Sequence, residues 1–500
     1  MLLNKKSYKD KVYACWIGKN IGGTMGTPYE GKREILDIKG FVTREGEVLP
    51  NDDLDLQLVW LHALEQQGPH AINAALLGEY WLSFIVPHWN EYGIGRANMR
   101  RGLPPPMSGD YQNDWKHSNG AWIRTEVWAN VAPAMPDVAA RYAMEDAAVD
   151  HGSGEGTFAA AFVAAMQSAA FVISDLRKCI EIGLAAIPKE SRMAKSIVFA
   201  LDYYDKGKSW LEARIDVQKL NADIGNGWFE APSNVTYAVI GLLWGEGDFK
   251  KSMITAINCG DDTDCTGATV GATLGILYGT AGIPADWAKH IGDDIVTVSI
   301  NKGNHGKYVP KTCTELTDRI VAIAPSVVFA NATRWTYKEF YDRCHHRDID
   351  FTDGEGVIEE NVYDLLYKQV SENVRPKTEG LVLNTTYFSN AIVTARVCLD
   401  RDPDIAPGES IGVSIDFDTH YYFEDSNIPI TFRWLLPEGF TAKSKKNMML
   451  YAFDPHHAGE AHLDAVITAG DEVEALNRVV LEVDFPGRCN PLYIAIPLLG

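Results

Sequence analysis

Over the first three hundred residues the apolar positions recur at helical spacing. Leu54, Leu58, Leu61 and Leu64 fall at three- and four-residue steps, the pattern of one buried helix face. Residues 157–173 (TFAAAFVAAMQSAAFVI) are small and apolar on every side, which predicts a helix central to its domain, and residues 234–244 predict another. Residues 265–285 carry no charge and reach the length of a membrane span. That stretch is rich in Gly and Thr and follows directly on acids, so it reads as a buried helix. Gly- and Pro-rich loops separate these segments. The loop at 92–109, with prolines at 104 to 106, reads equally as a functional loop or a disordered flap.

The period changes after about residue 375. Ile392–Leu399, Ile411–Asp418, Ile428–Leu436 and Val479–Asp484 are short, β-branched and alternating. Pro407-Gly408 and Pro437-Glu438-Gly439 punctuate them, a spacing that predicts a small antiparallel sandwich. The expected organisation is mainly α: an all-helical globule over 1–310, a helical connector over 311–375 and a β-sandwich accessory domain over 376–500. No internal repeat or low-complexity tract interrupts it.

Composition narrows the partners. Of 500 residues, 46 are Lys or Arg and 67 are Asp or Glu, a formal net charge of -21. A nucleic-acid backbone or an anionic membrane is disfavoured by that balance. The N-terminus spreads charges through its first residues and lacks a long apolar stretch, so it does not read as a signal peptide. The eight cysteines (15, 179, 259, 265, 313, 344, 398 and 489) form no CxxC pair. Free thiols in a reducing, cytoplasmic setting are expected, with neither a disulfide framework nor a thiolate zinc site.

Two acidic clusters carry the candidate chemistry. Asn51-Asp52-Asp53-Leu54-Asp55 precedes the Leu-patterned helix, and Asp261-Asp262-Thr263-Asp264-Cys265-Thr266 precedes the Gly/Ala helix. Carboxylates so close repel one another unless a hard divalent cation, which takes oxygen ligands, offsets them. The plainer reading is that Asp and Asn cap helices and that acids in a first turn suit the helix dipole. Two like clusters, each opening a helix, favour the cation. Gly267, Gly271, Gly275 and Gly279 fall every four residues, and each helical Gly costs about 1 kcal/mol relative to Ala. Their ridge predicts a neighbouring helix in very close approach, bringing the Asp262 end near other ligands. Three weaker patterns are Gly22–Glu30, a Gly-rich stretch ending in a carboxylate; Ser118-Asn119-Gly120; and His151–Gly156. The last two precede helices, whose N-termini can hold an anion. A lone His151 reads more readily as a structural histidine.

Taken in order, these pieces resemble the ADP-ribosylglycohydrolase family, including the dinitrogenase reductase-activating glycohydrolases. The stretch Ile21–Glu30 resembles its first motif, Asn51-Asp52-Asp53 its Thr-Asp-Asp metal motif, and Asn119-Gly120 through Arg124 its phosphate-side loop. Gly260–Cys265 resembles its late Gly-Gly-Asp-x-Asp-Thr motif, the most specific of these, and the resemblance covers about residues 8 to 300. It implies an all-α fold around two magnesium or manganese ions, held by Asp52, Asp53, Asp262 and Asp264 with Asn51 and Cys265 at the flanking positions. Glu30 and Asp53 would handle protons at the anomeric carbon, while Asn119, Gly120, Trp122 and His151 would line the substrate. Two cations about 3.5–4 Å apart can bind a ribose diol and activate water, with oxocarbenium character in the transition state. The implied partner is a small-molecule or ADP-ribosylated substrate.

The chain departs from the family at Asn51 and Cys265, where threonines are expected, at Gly23, where aspartate is frequent, and at Trp122, where a small residue is expected. A thiol is a poor magnesium ligand, so Thr266 or water would have to replace it. Trp122 and the β domain favour a variant substrate, another furanoside or glycoside. A silent binding relative is a further alternative, opposed by the four intact aspartates; a phosphoryl-transfer metalloenzyme is a more distant one, since no His or Lys cluster accompanies the acids.

Overall fold

A computed structural model describes residues 1–225, 227–301, 303, 308–332, 349–419, 428–450 and 461–500. Cys344 and part of the expected connector lie outside them. Among the helices are α1 (Lys5–Gly26), α2 (Asp52–Gln67), α3 (Asn90–Arg100), α4 (Glu155–Ala169), α5 (Ala231–Gly245), α6 (Thr263–Tyr278), α7 (Cys313–Ala332) and α8 (Val362–Asn373), with further helices between them. Asn4 caps α1, accepting a hydrogen bond from the Ser7 amide at 2.8 Å. Helix α4 is buried along nearly its whole length, as its uniform apolar composition requires. The Leu stripe of α2 is buried as the spacing predicts, and Asp53, Asp55 and Gln57 are buried with it. The segment 92–109 is ordered: Asn90–Arg100 is helical, and Gly95 lets that helix pack closely on Val149 and Asp150. Among the described residues no helix is long and apolar enough to cross a membrane.

Helices α1 and α6 run antiparallel with their backbones in contact. A Cβ on Gly18 would collide with the carbonyl of Gly271, one on Gly22 with that of Gly267, and one on Gly26 with that of Thr263. From the other side, a Cβ on Gly275 would meet the carbonyl of Ala14. Gly residues at four-residue spacing on both helices thus form two flat ridges, which permit an approach that any side chain would block. Gly279, expected on that ridge, lies beyond it. It is the C-cap of α6, at φ 65°, a left-handed conformation that glycine adopts without strain.

The described parts of 311–375 join the helical body. Cys313, Leu316, Ile320, Leu366 and Val370 belong to its hydrophobic core. Here β1 (Leu2–Asn4) pairs in parallel with β2 (Asp350–Thr352).

The chain then forms β3 (Thr385–Ser389), β4 (Val393–Leu399), β5 (Ser410–Thr419), β6 (Ile428–Leu435), β7 (Thr441–Ser444), β8 (Asn447–Leu450), β9 (His462–Thr468), β10 (Asn477–Asp484) and β11 (Leu492–Leu498). They make two antiparallel sheets, in the orders β3-β4-β5-β9-β7 and β11-β10-β6-β8. Inward residues of both sheets share one core, and Leu103, Met107 and Tyr111 from the helical part enter it.

Gly271→Ala should cost about 1–2 kcal/mol in urea unfolding, an overpacking penalty near the upper end of about 1–3 kcal/mol less about 1 kcal/mol gained in helix propensity. Gly40→Ala, with nothing within 4 Å of its added methyl, should shift stability by less than about 0.5 kcal/mol. Equal effects would mean that the helix contact is not tight.

Candidate functional site

The contact between α1 and α6 delivers two chain segments to one place. Just before α6, Gly260 (φ 78°) and Asp261 (φ 68°) turn the backbone through the left-handed region. Gly260 leaves no room for a side chain beside the carbonyls of Lys32 and Glu34. The Asp261 amide donates to the Lys32 carbonyl at 2.6 Å, and the Gly31 amide donates to the Asp261 carbonyl at 2.8 Å. The Asp261 carboxylate accepts from Asn234 Nδ2 at 3.0 Å and from the Phe229 amide at 3.2 Å. Asp261 therefore holds the turn together, while Asp262 and Asp264 are carried inward on the rim of α6.

Glu30, Asp262 and Asp264 each offer an oxygen within 4.8 Å of the others, and Asp53, Asp264 and Cys265 do the same with two oxygens and a sulfur. Asp264 belongs to both groups. Residues more than two hundred positions apart thus meet around one carboxylate. Asp262 accepts from Asn119 Nδ2 at 2.7 Å, and Asn119 in turn accepts from the Trp122 indole at 2.9 Å. Asp52 accepts from the Tyr92 hydroxyl at 3.2 Å, and Asp53 accepts from the Cys265 thiol at 3.3 Å. Asp53 Oδ2, Asp262 Oδ1 and Asp264 Oδ1 are buried and meet no protein donor. Asp262 is the N-cap residue of α6, yet its side chain makes no capping hydrogen bond. Buried oxygens left without donors, all on carboxylates, fit a divalent cation.

The electrostatics agree with that fit. Asp264's charge, then burial, then Asp52's charge push the Glu30 carboxyl up to about 8. Burial and then Asp264 push Asp52 up to about 6. Asp53, Asp262 and Asp264 are raised too, first by burial. Burial raises all five, and neighbouring carboxylate charge adds to it at Glu30, Asp52, Asp53 and Asp262.

The other expected residues occupy distinct places. Asn51 caps α2, its Oδ1 accepting from the Asp53 amide at 2.7 Å. Its amide nitrogen fills the space that a Cβ on Gly23 would need. Trp122 is fully buried and steadies Asn119. A Cβ on Gly120 would strike the Glu91 carboxylate. His151 is fully buried, with Nδ1 2.8 Å from Asp150 and Nε2 3.3 Å from the Ser118 hydroxyl.

Sequence reasoning missed the cation beneath the acids. Lys19 is fully buried, 3.1 Å from Glu126, and donates to the Ile123 carbonyl at 2.7 Å. Burial alone would lower its pKa, but the charges of Glu126 and Asp53 raise it. Gln57 ties the group together, donating to Glu126 at 2.9 Å and to the Asp53 carbonyl at 2.8 Å. One signal existed: Lys19 is the sole charge between Lys11 and Glu30. Also missed was a half-buried aromatic group beside the Asp261 turn. Trp228 stacks on Phe229 at 4.4 Å, meets Trp115 edge-on at 6.3 Å, and lies under the Arg33 guanidinium at 4.5 Å.

The model of one protein family, described as ADP-ribosylglycohydrolase, matches residues 4–322. The chain belongs to that family. Over 82 residues it is 28% identical to the ADP-ribosylarginine hydrolase Tri1 of Pseudomonas putida strain GB-1, a match spanning 16% of this chain and 19% of that relative. A solved ADP-ribosylglycohydrolase-related protein complex aligns with a TM-score of 0.40 at 20% identity, covering 64% of this chain and 98% of that one. The matched family region contains both acidic clusters, Glu30 and the Lys19–Glu126 pair, and it ends within α7.

Two predictions concern this family member. Lys19→Met should cost about 3–5 kcal/mol in urea unfolding, because it strands Glu126 without its partner, and adding Glu126→Gln should recover part of the loss. An undiminished Lys19→Met would mean the pair is not buried in solution. The second concerns pH. With its carboxyls raised, the folded metal-free protein binds more protons than the unfolded chain between Glu30's ordinary 4.5 and about 8. Its stability should therefore fall as pH rises through that window. Thermal melts in chelator should show the fall, and manganese should flatten it; parallel curves would remove the charge-crowding account.

Proposed function

We propose that the chain hydrolyses an ADP-ribosyl glycosidic bond at a binuclear centre of divalent cations, magnesium or manganese in charge type. The observation carrying this reading is the sharing of Asp264 by two donor groups whose buried oxygens lack protein partners. Asp52, Asp53, Asp262 and Asp264 would hold the ions. When bound, the cations supply Lewis acidity and a fixed positive charge against which sugar hydroxyls and water orient.

The remaining work falls to the chain's own groups. Glu30 is the exposed member of its acidic group and directly precedes Gly31 and Lys32, which pair with Asp261. In its acid form its carboxyl, at the edge of the acidic group, can deliver a proton to the leaving atom as the bond to the anomeric carbon breaks. Asp53 is the buried carboxylate held by Lys19's field and the Cys265 thiol, suited to accepting a proton once the acids are neutralised. Asn119 fixes the direction of Asp262, and Trp122 fixes Asn119. Gly120 admits the Glu91 carboxylate beside this loop, and His151 lies within hydrogen-bond distance of Ser118.

A second reading keeps the centre and changes the sugar. Glu91 presses its carboxylate against Gly120, and its Oε2 is buried without a protein donor. Negative charge there opposes a diphosphate on that loop and favours a glycoside lacking one.

The test uses manganese-loaded protein with an ADP-ribosylated arginine peptide and with a simple furanoside, reading the released sugar by chromatography. Release of ADP-ribose, lost in Asp264→Asn and lowered about 10²–10⁴-fold in kcat in Glu30→Gln, supports the first reading. Cleavage of the furanoside alone supports the second. Turnover that survives Asp264→Asn, or cleavage of neither substrate, overturns the proposal.

A further inference from the structure

The donors around Asp264 are not all alike. On the side of Asp53 the third donor is sulfur. Cys265 is 6% exposed, and its Sγ lies within 4.8 Å of oxygens from both Asp53 and Asp264. As a thiol it spends its proton on Asp53 Oδ1 at 3.3 Å. The other oxygen of Asp53 and Oδ1 of Asp264 belong to side chains more than nine-tenths buried, and neither meets a protein donor. These orphaned atoms, in the same small volume as the sulfur, are what marks the place as a ligand site.

The neighbouring hydroxyls and amide that could have replaced sulfur are already engaged. Thr266 Oγ1 donates to the Thr263 carbonyl at 3.2 Å, inside its own helix turn. Thr263 Oγ1 donates across the helix contact to the Gly26 carbonyl at 2.9 Å. The amide oxygen of Asn51 is taken up capping α2. The donor atoms gathered within 4.8 Å of one another on this side are two carboxylate oxygens and one sulfur.

We propose that Cys265 Sγ is a ligand of the cation on the Asp53 side, and that it makes this position prefer a borderline divalent ion of the cobalt or zinc class over magnesium. This rests on the metal-centre reading above and deepens it by naming the metal class. The reason is donor softness: magnesium demands a near-octahedral shell of oxygens, whereas thiolate sulfur draws cations of intermediate softness that still accept carboxylate. On ligation the S–H bond gives way to a metal–sulfur bond and the proton passes to solvent. Asp53 loses one hydrogen-bond donor and gains the cation's charge in exchange. Asp264 serves both positions, so the second site, beside Asp262, keeps an all-oxygen set.

The experiment uses the full chain stripped with chelator and titrated with cobalt(II), followed by near-ultraviolet absorbance and by calorimetry, with magnesium titrated in parallel. The expected result is a sulfur-to-cobalt charge-transfer band in the unaltered protein that disappears in Cys265→Ser and Cys265→Thr. Cys265→Thr should also lower the affinity for cobalt relative to magnesium by at least about tenfold. Cobalt binding by calorimetry without the band overturns the sulfur ligand and leaves the metal centre standing, as does a band that survives Cys265→Ser. An unchanged cobalt-to-magnesium ratio in Cys265→Thr overturns the selectivity. Failure of every cation to bind removes this inference and the metal-centre reading together. The spectrum of the unaltered protein reads the ligand directly, even if a variant folds poorly.

Discussion

The site depends on one contact: the meeting of two helix backbones through glycine. On α1 the ridge is Gly18, Gly22 and Gly26; on α6 it is Gly267, Gly271 and Gly275. Because the helices run antiparallel, the C-terminal end of α1 lies beside the N-terminal end of α6. Thr263 fastens that end by donating its hydroxyl to the Gly26 carbonyl. From there the chain has only to make a short turn for Glu30 to face Asp262 and Asp264. With ordinary side chains between them, helices sit 8–10 Å apart, and each residue of added bulk would open the acidic group. The propensity cost of so many helical glycines is thus offset by placement, and the fold and the chemistry share one cause.

Closeness brings a second problem, the mutual repulsion of buried carboxylates. The protein answers it from below with Lys19, which α1 carries into the core between Glu126 and the field of Asp53. Gln57 links the pair back to the start of α2, so the helix bearing Asp52 and Asp53 is bonded to the same network. One buried ammonium, already paired with Glu126, cannot balance Asp52, Asp53, Asp262, Asp264 and Glu30. The raised carboxyls and the orphaned oxygens are two expressions of that remaining deficit. Protons on the raised carboxyls or a cation from solution can remove it, and a cation also satisfies the orphaned oxygens.

What could be read in the sequence was whatever depends on local spacing. The four-residue glycine period announced a close helix contact, the alternation after residue 375 announced a sandwich, and two acidic runs before helices announced a shared centre. Asn51 behaves as the plainer reading allows, an N-cap, whereas Asp262 sits at the N-cap position without capping. What could not be read depends on partners distant in the chain. The ring of Trp122 is buried behind Asn119, a relation that its position beside a Gly-rich loop did not reveal. The segment 92–109 looked loose because glycine and proline dominate it. Its order comes from tertiary bonds, such as those from Asn98 Nδ2 to the carbonyls of Ser108 and Tyr111.

That same segment shows why the sandwich is more than an appendage. Leu103, Met107 and Tyr111 are buried in the sandwich's own core, and the Tyr111 hydroxyl donates to Asp404 at 2.7 Å. Immediately downstream, Asn113 donates to the Asp150 carbonyl at 2.7 Å, and Asp110 accepts from the Ser153 hydroxyl at 2.8 Å. Asp150 is also the partner of Arg124 and His151. The chain then runs through Trp115 to Ser118, Asn119 and Gly120. A loop that would cost conformational entropy to order is thus clamped at one end by the sandwich and at the other by the His151 turn. The loop that carries Asn119 to Asp262 is thus bonded both to the sandwich and to the helical body.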